Sequence, residues 1–327
     1  MIYESFGVLR DRIEEVSGRQ VGARLEIHED TSHYNLIAGG SVVRLEGNDY
    51  FVLCDHYEGR FGLDDQPKFW VKSAIDLESG SQKVIKFPFQ ESFAVQFGGL
   101  SVECHRSAEK ESRILEQVRG DPHFVQGITV PDRVGTPVRI IDFIAGPSLY
   151  NHLLELELPH PRYCEAVLPG LLGELIASIE ALHRLHRMGL HHGDVRNDHL
   201  FIEPGSGRLV WIDFDYEVDL AAAFDVFSMG NVLTFVAGLG IHSFHEQRAA
   251  RRSSPSLPIP LEQGDALLFY RYRIANLGKL FPHLPPALNE VLLRFSVGAT
   301  ETYRDLGGLV SDLRAALDAM TVDRPNA

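Results

Sequence analysis

The sequence predicts an α+β chain of two lobes, β-rich in its first part and helical in its second. Three observations carry that expectation. Short apolar runs of strand type, parted by glycine and asparagine turns, dominate residues 24–89. Apolar residues at helical spacing dominate beyond Ser148. The change falls at one stretch, Val138–Ile144, which runs into Ala145-Gly146-Pro147. On this reading residues 1–45 are an extension, a helix plus strands, packed on the first lobe; residues 46–141 are that lobe and residues 142–327 the second. A chain of 327 residues, 44% of them hydrophobic, can bury a core in each.

The elements follow in order. Phe6, Leu9, Ile13 and Val16 recur at helical spacing and stop at Gly18, so the chain opens on a short amphipathic helix. Five strands are expected next, RLEIHE, SVVRLE, DYFVLCD, KFWVKSAID and QKVIKFPF, with turns at Ala38-Gly39-Gly40, Gly47-Asn48 and Glu78-Ser79-Gly80. Between the third and fourth lies the loop Glu58-Gly59-Arg60-Phe61-Gly62, whose two glycines serve either the turn alone or the approach of a phosphate. Lys86 sits inside the apolar run of the fifth. In the helix that follows, SAEKESRILEQV, Glu111 falls on the same face as Ile114 and Leu115, and a carboxylate on a buried stripe needs a partner. Lys86 is the nominee.

A short helix begins at Ser148, and Leu171, Leu172, Leu175, Ile176, Ile179, Leu182 and Leu185 form a helical face leading to His192-Gly193-Asp194. The stretch from Leu190 to Tyr216 is the centre of the chain. Between Asp194 and Asp213 lie two short apolar strands joined by Pro-Gly-Ser-Gly, a hairpin by period and turn chemistry. A hairpin returns the chain to its start, so the two carboxylates should lie close together, suited to a divalent cation and to a hydroxyl that must lose its proton. Helices are expected over Ala221–Leu239, Leu261–Leu280, Pro286–Val297 and Leu306–Met320, with RRSSPSLPIP a surface loop.

Composition narrows the partners. With 45 acids against 31 Lys and Arg the formal charge is −14, which disfavours polyanionic nucleic acid and anionic membrane alike. Cys54, Cys104 and Cys164 are far apart and form no metal knuckle, fitting a reducing cytoplasm. The N-terminus carries charges where a signal peptide needs an apolar core, and no later run is read as approaching a membrane span, so a soluble, cytoplasmic protein is expected. His183, His186, His191, His192 and His199 invite a zinc reading, but their helix is core and no cysteine adjoins it. They are read as satisfied core and loop histidines.

The ordered set of a glycine loop, a strand lysine, a helix glutamate, a lobe linker, His192-Gly193-Asp194, Asp213-Phe214-Asp215 and Asp225-Val-Phe-Ser-Met-Gly resembles the protein-kinase-like phosphotransferases over roughly residues 50 to 320. It resembles bacterial eukaryotic-type Ser/Thr protein kinases, with aminoglycoside- and choline-kinase-like features. The resemblance implies a two-lobed kinase fold and use of ATP with Mg²⁺ (or Mn²⁺). It implies that Lys86 holds the α and β phosphates, aligned by Glu111 under a loop containing Gly59 and Gly62, and that the backbone of Asp142 and Ile144 receives adenine. Asp194 would accept the proton of the acceptor hydroxyl, Arg196 would steady the γ-phosphate, and Asp213 would hold the metal. Asp225 would brace the catalytic loop. Lys86, Asp194 and Asp213 are then expected to converge on one cleft.

Three departures shape the reading. His199 stands where the family has an asparagine as second metal ligand, so His199, Asn197 or Asp198 serves there, or one metal suffices. Asp215 replaces a glycine, which disfavours a flipping activation switch. Only twelve positions separate Asp213 from Asp225, leaving little chain for a peptide platform. A Ser/Thr protein kinase is the leading expectation, with a protein hydroxyl as acceptor; a small-molecule kinase and a nucleotide-binding pseudokinase are the alternatives. Oligomeric state is not legible.

Overall fold

The computed structural model describes residues 5–22, 24–60, 63–97, 100–253 and 260–322. Helix α1 (Phe6–Ser17) forms where the apolar spacing places it, burying Leu9 and Ile13, and ends where Gly18 takes a left-handed φ of 64° that disfavours any side chain. Strands β1 (Ile27–His28), β2 (Val42–Leu45), β3 (Asn48–Arg60), β4 (Leu63–Asp76) and β5 (Gln82–Lys86) follow. The chain then makes a hairpin, β6 (Ser92–Phe97) and β7 (Leu100–Arg106), and continues as α2 (Ala108–Gln117), β8 (Gly127–Pro131) and β9 (Pro137–Asp142). A seven-stranded sheet results, in the order β1-β2-β3-β4-β5-β9-β8, antiparallel except for the parallel pair β1 and β2.

Period-two alternation gives this sheet two apolar faces. On one, Val43, Val52, Ala74, Ile85 and Val138 share a buried cluster; on the other, Val42 and Phe51 pack with Leu9 and Ile13 of α1. The N-terminal residues are tied down by polar contacts too. Asp132, in the turn between β8 and β9, accepts hydrogen bonds from the Thr31 amide and hydroxyl at 2.7 and 2.8 Å.

Contacts divide the chain into two units. The first comprises Met1–Glu91, Arg106–Gly120 and Val125–Ile144; the second comprises Ser92–His105, Asp121–Phe124 and Ala145–Ala327. The β6–β7 hairpin, which the sequence reading kept with residues 46–141, groups with the second unit, where β7 pairs with β12 (Tyr216–Val218) in a three-stranded sheet. Phe93 meets Tyr216 edge-on at 5.2 Å within it.

The second unit is otherwise mainly helical: α3 (Leu149–Leu154), α4 (His160–Ala166), α5 (Leu168–Arg187), α6 (Ala221–Gly238), α7 (Phe244–Ser253), α8 (Pro286–Leu293) and α9 (Leu306–Val322). Ser148 caps α3, its hydroxyl accepting from the Asn151 amide. Helix α5 buries its leucine and isoleucine face, and α9 packs along it. The expected hairpin is present as β10 (Leu200–Ile202) and β11 (Leu209–Trp211), with Leu200 opposite Trp211. Trp211 is fully buried and donates its indole N–H to the Ser178 carbonyl of α5.

Three expectations are corrected. Leu261–Leu280 is not a helix; it contains two 3-10 turns, Gln263–Asp265 and Leu277–Lys279. Asp265 folds the segment back: its carbonyl accepts from the Ala275 and Asn276 amides, and its carboxylate from Asn276 and Lys279, both at 2.7 Å. Apolar spacing is the same for this buried irregular chain as for a helix, which is why periodicity misread it. Arg251–Ser253, read as the start of a surface loop, end α7, and residues 254–259 lie outside the described residues. Finally, α6 is long and apolar enough to cross a membrane, contrary to expectation, but it is a buried core helix: of its last eleven residues, Ser228–Gly238, all are buried. The whole is a mixed α and β architecture with a curled sheet of seven strands and several helices, compatible with the two-lobed expectation.

Candidate active site

In the first unit the site is assembled on neighbouring strands. Register places Lys86 of β5 directly opposite Arg139 of β9 and opposite Val71 of β4. Both cations are buried, at 8% and 2% exposure, and the fully buried Glu111 of α2 answers them. Its carboxylate lies 2.6 Å from Lys86 Nζ and 3.4 Å from Arg139 Nε, while Arg139 Nη2 donates to the Phe87 carbonyl at 2.8 Å. Ser107 caps α2 and so fixes the turn that carries Glu111. The lysine–glutamate pairing read from the sequence is thus present. Arg139 was missed, although a charged residue inside the apolar run Val138-Arg139-Ile140-Ile141 is the same signal that singled out Lys86.

Gly59 falls in β3, where the register with β4 shifts between Glu58 and Arg60. Gly62 lies outside the described residues. Asp142 ends β9, exposed, with its carboxylate 2.5 Å from Lys83 Nζ and its amide donating to the Gln126 carbonyl. Among the described residues the Ile144 amide makes no hydrogen bond.

The second unit holds the carboxylates. Asp194 lies on the loop after α5, Asp213 just after β11, and the imidazole of His199 stands between them. His199 Nδ1 is 3.0 Å from the Asp194 carbonyl and 3.4 Å from its Oδ2, and Nε2 is 3.6 Å from Asp213 Oδ2. The hairpin therefore brings the two acids to a common neighbour. Burial pushes the Asp194 carboxyl above the usual carboxylate range, with His199 and Arg196 opposing the rise. Asp213 holds a left-handed φ of 67°, costly for a residue with a side chain and a mark of functional positions. Phe214 behind it is fully buried against Phe124 and His192.

Arg196 is engaged elsewhere. Its guanidinium grips both carboxylate oxygens of Asp198 and reaches Asp194 Oδ2 only at 3.9 Å. Burial alone would raise the Asp198 carboxyl, but His199 and Arg196 hold it below the usual range. Asn197 is also buried, and its Oδ1 has no hydrogen-bond partner among the described residues. Underneath, Asp225 of α6 accepts from the amides of His192 and Gly193 and contacts His186 Nε2, each at 2.8 Å. The bracing of the loop by Asp225 was legible; the role of His186 was not, because its partner is 39 positions away.

No protein-family model matches the chain. Among curated proteins, it is 26% identical over 129 residues to the "Putative ribosomal protein S6 kinase alpha-2" of Caenorhabditis elegans, a match covering 38% of this chain and 15% of that one. It is 22% identical over 100 residues to calcium-dependent protein kinase 27 of Arabidopsis thaliana, covering 31% of this chain and 20% of that protein. The similarity is partial, and the chain spans a fifth or less of either relative. It supports a kinase-like relationship at the level of the superfamily.

Proposed function

We propose that the protein is an ATP- and divalent-metal-dependent phosphotransferase acting on a hydroxyl, with Ser/Thr of a protein as the leading acceptor. The observation that carries this reading is the placing of two carboxylates, Asp194 and Asp213, on either side of one imidazole over a loop pinned by Asp225. Asp194 is the base: its Oδ2 faces His199 and Arg196, which leaves Oδ1 to accept the hydroxyl proton, and its raised basicity suits that task. Lys86, oriented by Glu111, would meet the α and β phosphates.

The donor set fits a divalent cation. Asp213 would hold it, with the unpartnered oxygen of Asn197 as a second hard donor and His199 Nε2 as a softer one. When bound, that cation supplies charge neutralisation at the phosphates. Asp198 is a poorer ligand, being committed to Arg196.

A small-molecule kinase is the second reading, favoured by one observation. Of the residues between Asp213 and α6, three form β12 and are paired with β7, so this segment is already part of a sheet. Peptide recognition, if used, would rest on other surfaces. The three free cysteines suit a reducing compartment. Incubation with labelled ATP and Mg²⁺ or Mn²⁺ tests the proposal: transfer to the protein itself or to a generic protein is expected, and Asp194→Ala abolishes it. Turnover seen only with an added metabolite would favour the second reading. Nucleotide binding without turnover in either metal would overturn both in favour of a pseudokinase.

A further inference from the structure

We infer that His160, Cys164 and His283 form a binding site for a transition-metal ion of the zinc type. His160 and Cys164 are four apart on α4 and so share a face, and His283 comes from the Phe281-Pro282-His283-Leu284-Pro285 turn ahead of α8. One ligand atom from each lies within 4.8 Å of the other two. His160 Nδ1 is 2.7 Å from His283 Nε2 and 3.5 Å from Cys164 Sγ.

What singles this group out is the tautomer of His160. Its Nε2 lies 2.9 Å from the Ala237 carbonyl, which can only accept, so Nε2 carries the proton and Nδ1 turns a lone pair to the other two residues. A carbonyl that fixes the far nitrogen is the outer-sphere support that metal-binding histidines use. The ring is further clamped by stacking on Phe281, centroids 3.6 Å apart and nearly parallel. Because Nδ1 has no proton to give, His283 Nε2–H is the donor of the short bond between the rings. A metal takes that proton's place.

The chemistry selects the ion. Two imidazoles and a thiolate are borderline-to-soft donors, suited to Zn²⁺ and not to Mg²⁺ or Ca²⁺. Ligand atoms on a tetrahedral zinc stand about 3.3–3.7 Å apart, from bond lengths of about 2.0–2.3 Å. The His160–Cys164 separation already meets this, and exposed His283 needs to retreat by roughly half an ångström. On binding, Cys164 Sγ–H releases its proton to solvent and forms the metal–sulfur bond, while the His283 proton moves by way of water to its exposed Nδ1. One proton is released per ion. Burial pushes the Cys164 thiol up to about 11, so without metal it is no nucleophile. The ion would tie α4 to the turn before α8, and through Ala237 to the end of α6.

The test uses the full chain, freed of metal with a chelator and titrated with Co²⁺ as a spectroscopic probe, then with Zn²⁺. One equivalent of Co²⁺ should bind with a thiolate charge-transfer band, Zn²⁺ should displace it, and Zn²⁺ should raise the thermal midpoint. Cys164→Ser should abolish the band. His283→Ala, at an exposed position, should weaken binding on the order of 100-fold or more, since losing outer-sphere support alone costs up to about that much. Asp213→Asn, which removes the oxygen-donor site, should leave the band intact. Absence of the band, or unchanged affinity in His283→Ala, overturns the inference.

Discussion

Lys86 and Arg139 stand directly opposite one another on β5 and β9, two buried cations on one face of a sheet. Like charges in that position repel, and Glu111 offsets the repulsion by reaching both. The consequence is an asymmetry. Glu111→Ala removes the carboxylate that two buried cations share and should cost about 3–5 kcal/mol, whereas Lys86→Ala leaves Glu111 paired with Arg139 and should cost about 1–3 kcal/mol. Both should depress ATP use to a similar extent, because the two act as one unit. Urea denaturation beside a labelled-ATP assay measures both quantities; equal stability losses would sink the three-residue account.

Asp225 concentrates three contacts on one carboxylate. Asp225→Asn keeps the shape but turns an amide N–H₂ toward a group that also donates. A loss of about 2–3 kcal/mol is expected, typical of hydrogen bonds to a charged acceptor. Transfer should fall at least about tenfold, the equivalent of roughly 1.4 kcal/mol of misplacement at Asp194. An unchanged midpoint in chemical denaturation would rule out the brace.

For Asp194 the sign of the stability effect is opposite. A carboxyl whose folded pKa is raised above its unfolded value favours the fold only while protonated, so its contribution is present at low pH and is lost as pH rises through the folded value. At neutral pH its ionisation therefore works against folding. Asp194→Asn should abolish transfer while leaving the thermal midpoint at pH 7 the same or higher, an advantage over wild type that shrinks as the pH is lowered. A fall in midpoint at pH 7 would contradict this.

His199 sets the metal preference. With Nδ1 directed at the Asp194 carbonyl, His199 turns Nε2 toward Asp213, and a nitrogen donor favours Mn²⁺ over Mg²⁺. His199→Asn should move the ratio of Mn²⁺- to Mg²⁺-supported activity toward Mg²⁺ by on the order of tenfold, about 1.4 kcal/mol. A ratio that does not move would leave His199 outside the metal's reach.

Much of this was legible because it is local. The strand lysine, the helix glutamate and the hairpin between Asp194 and Asp213 each declare themselves by period and turn chemistry. What escaped depends on contacts distant in sequence. Arg139 matters only once β9 is known to lie beside β5, and His160 only once Phe281 and His283 are folded against it. Gly146 was read as a lobe boundary, yet a Cβ there would stand 1.7 Å from the Ile202 carbonyl oxygen, so its absence is a packing requirement. The β6–β7 hairpin was missed because its third strand, β12, is more than a hundred residues downstream.

The chain passes between its two units five times, at residues 91, 105, 120, 124 and 144. Neither unit is therefore a continuous piece of polypeptide. A fragment ending at Ile144 would carry a hairpin cut off from its sheet, and one starting at Ala145 would lack two strands it needs. During synthesis the paired strands β6 and β7 lack their third strand until Tyr216–Val218 emerges, so a piece of the second unit is made before the first unit is finished and is completed only long afterwards.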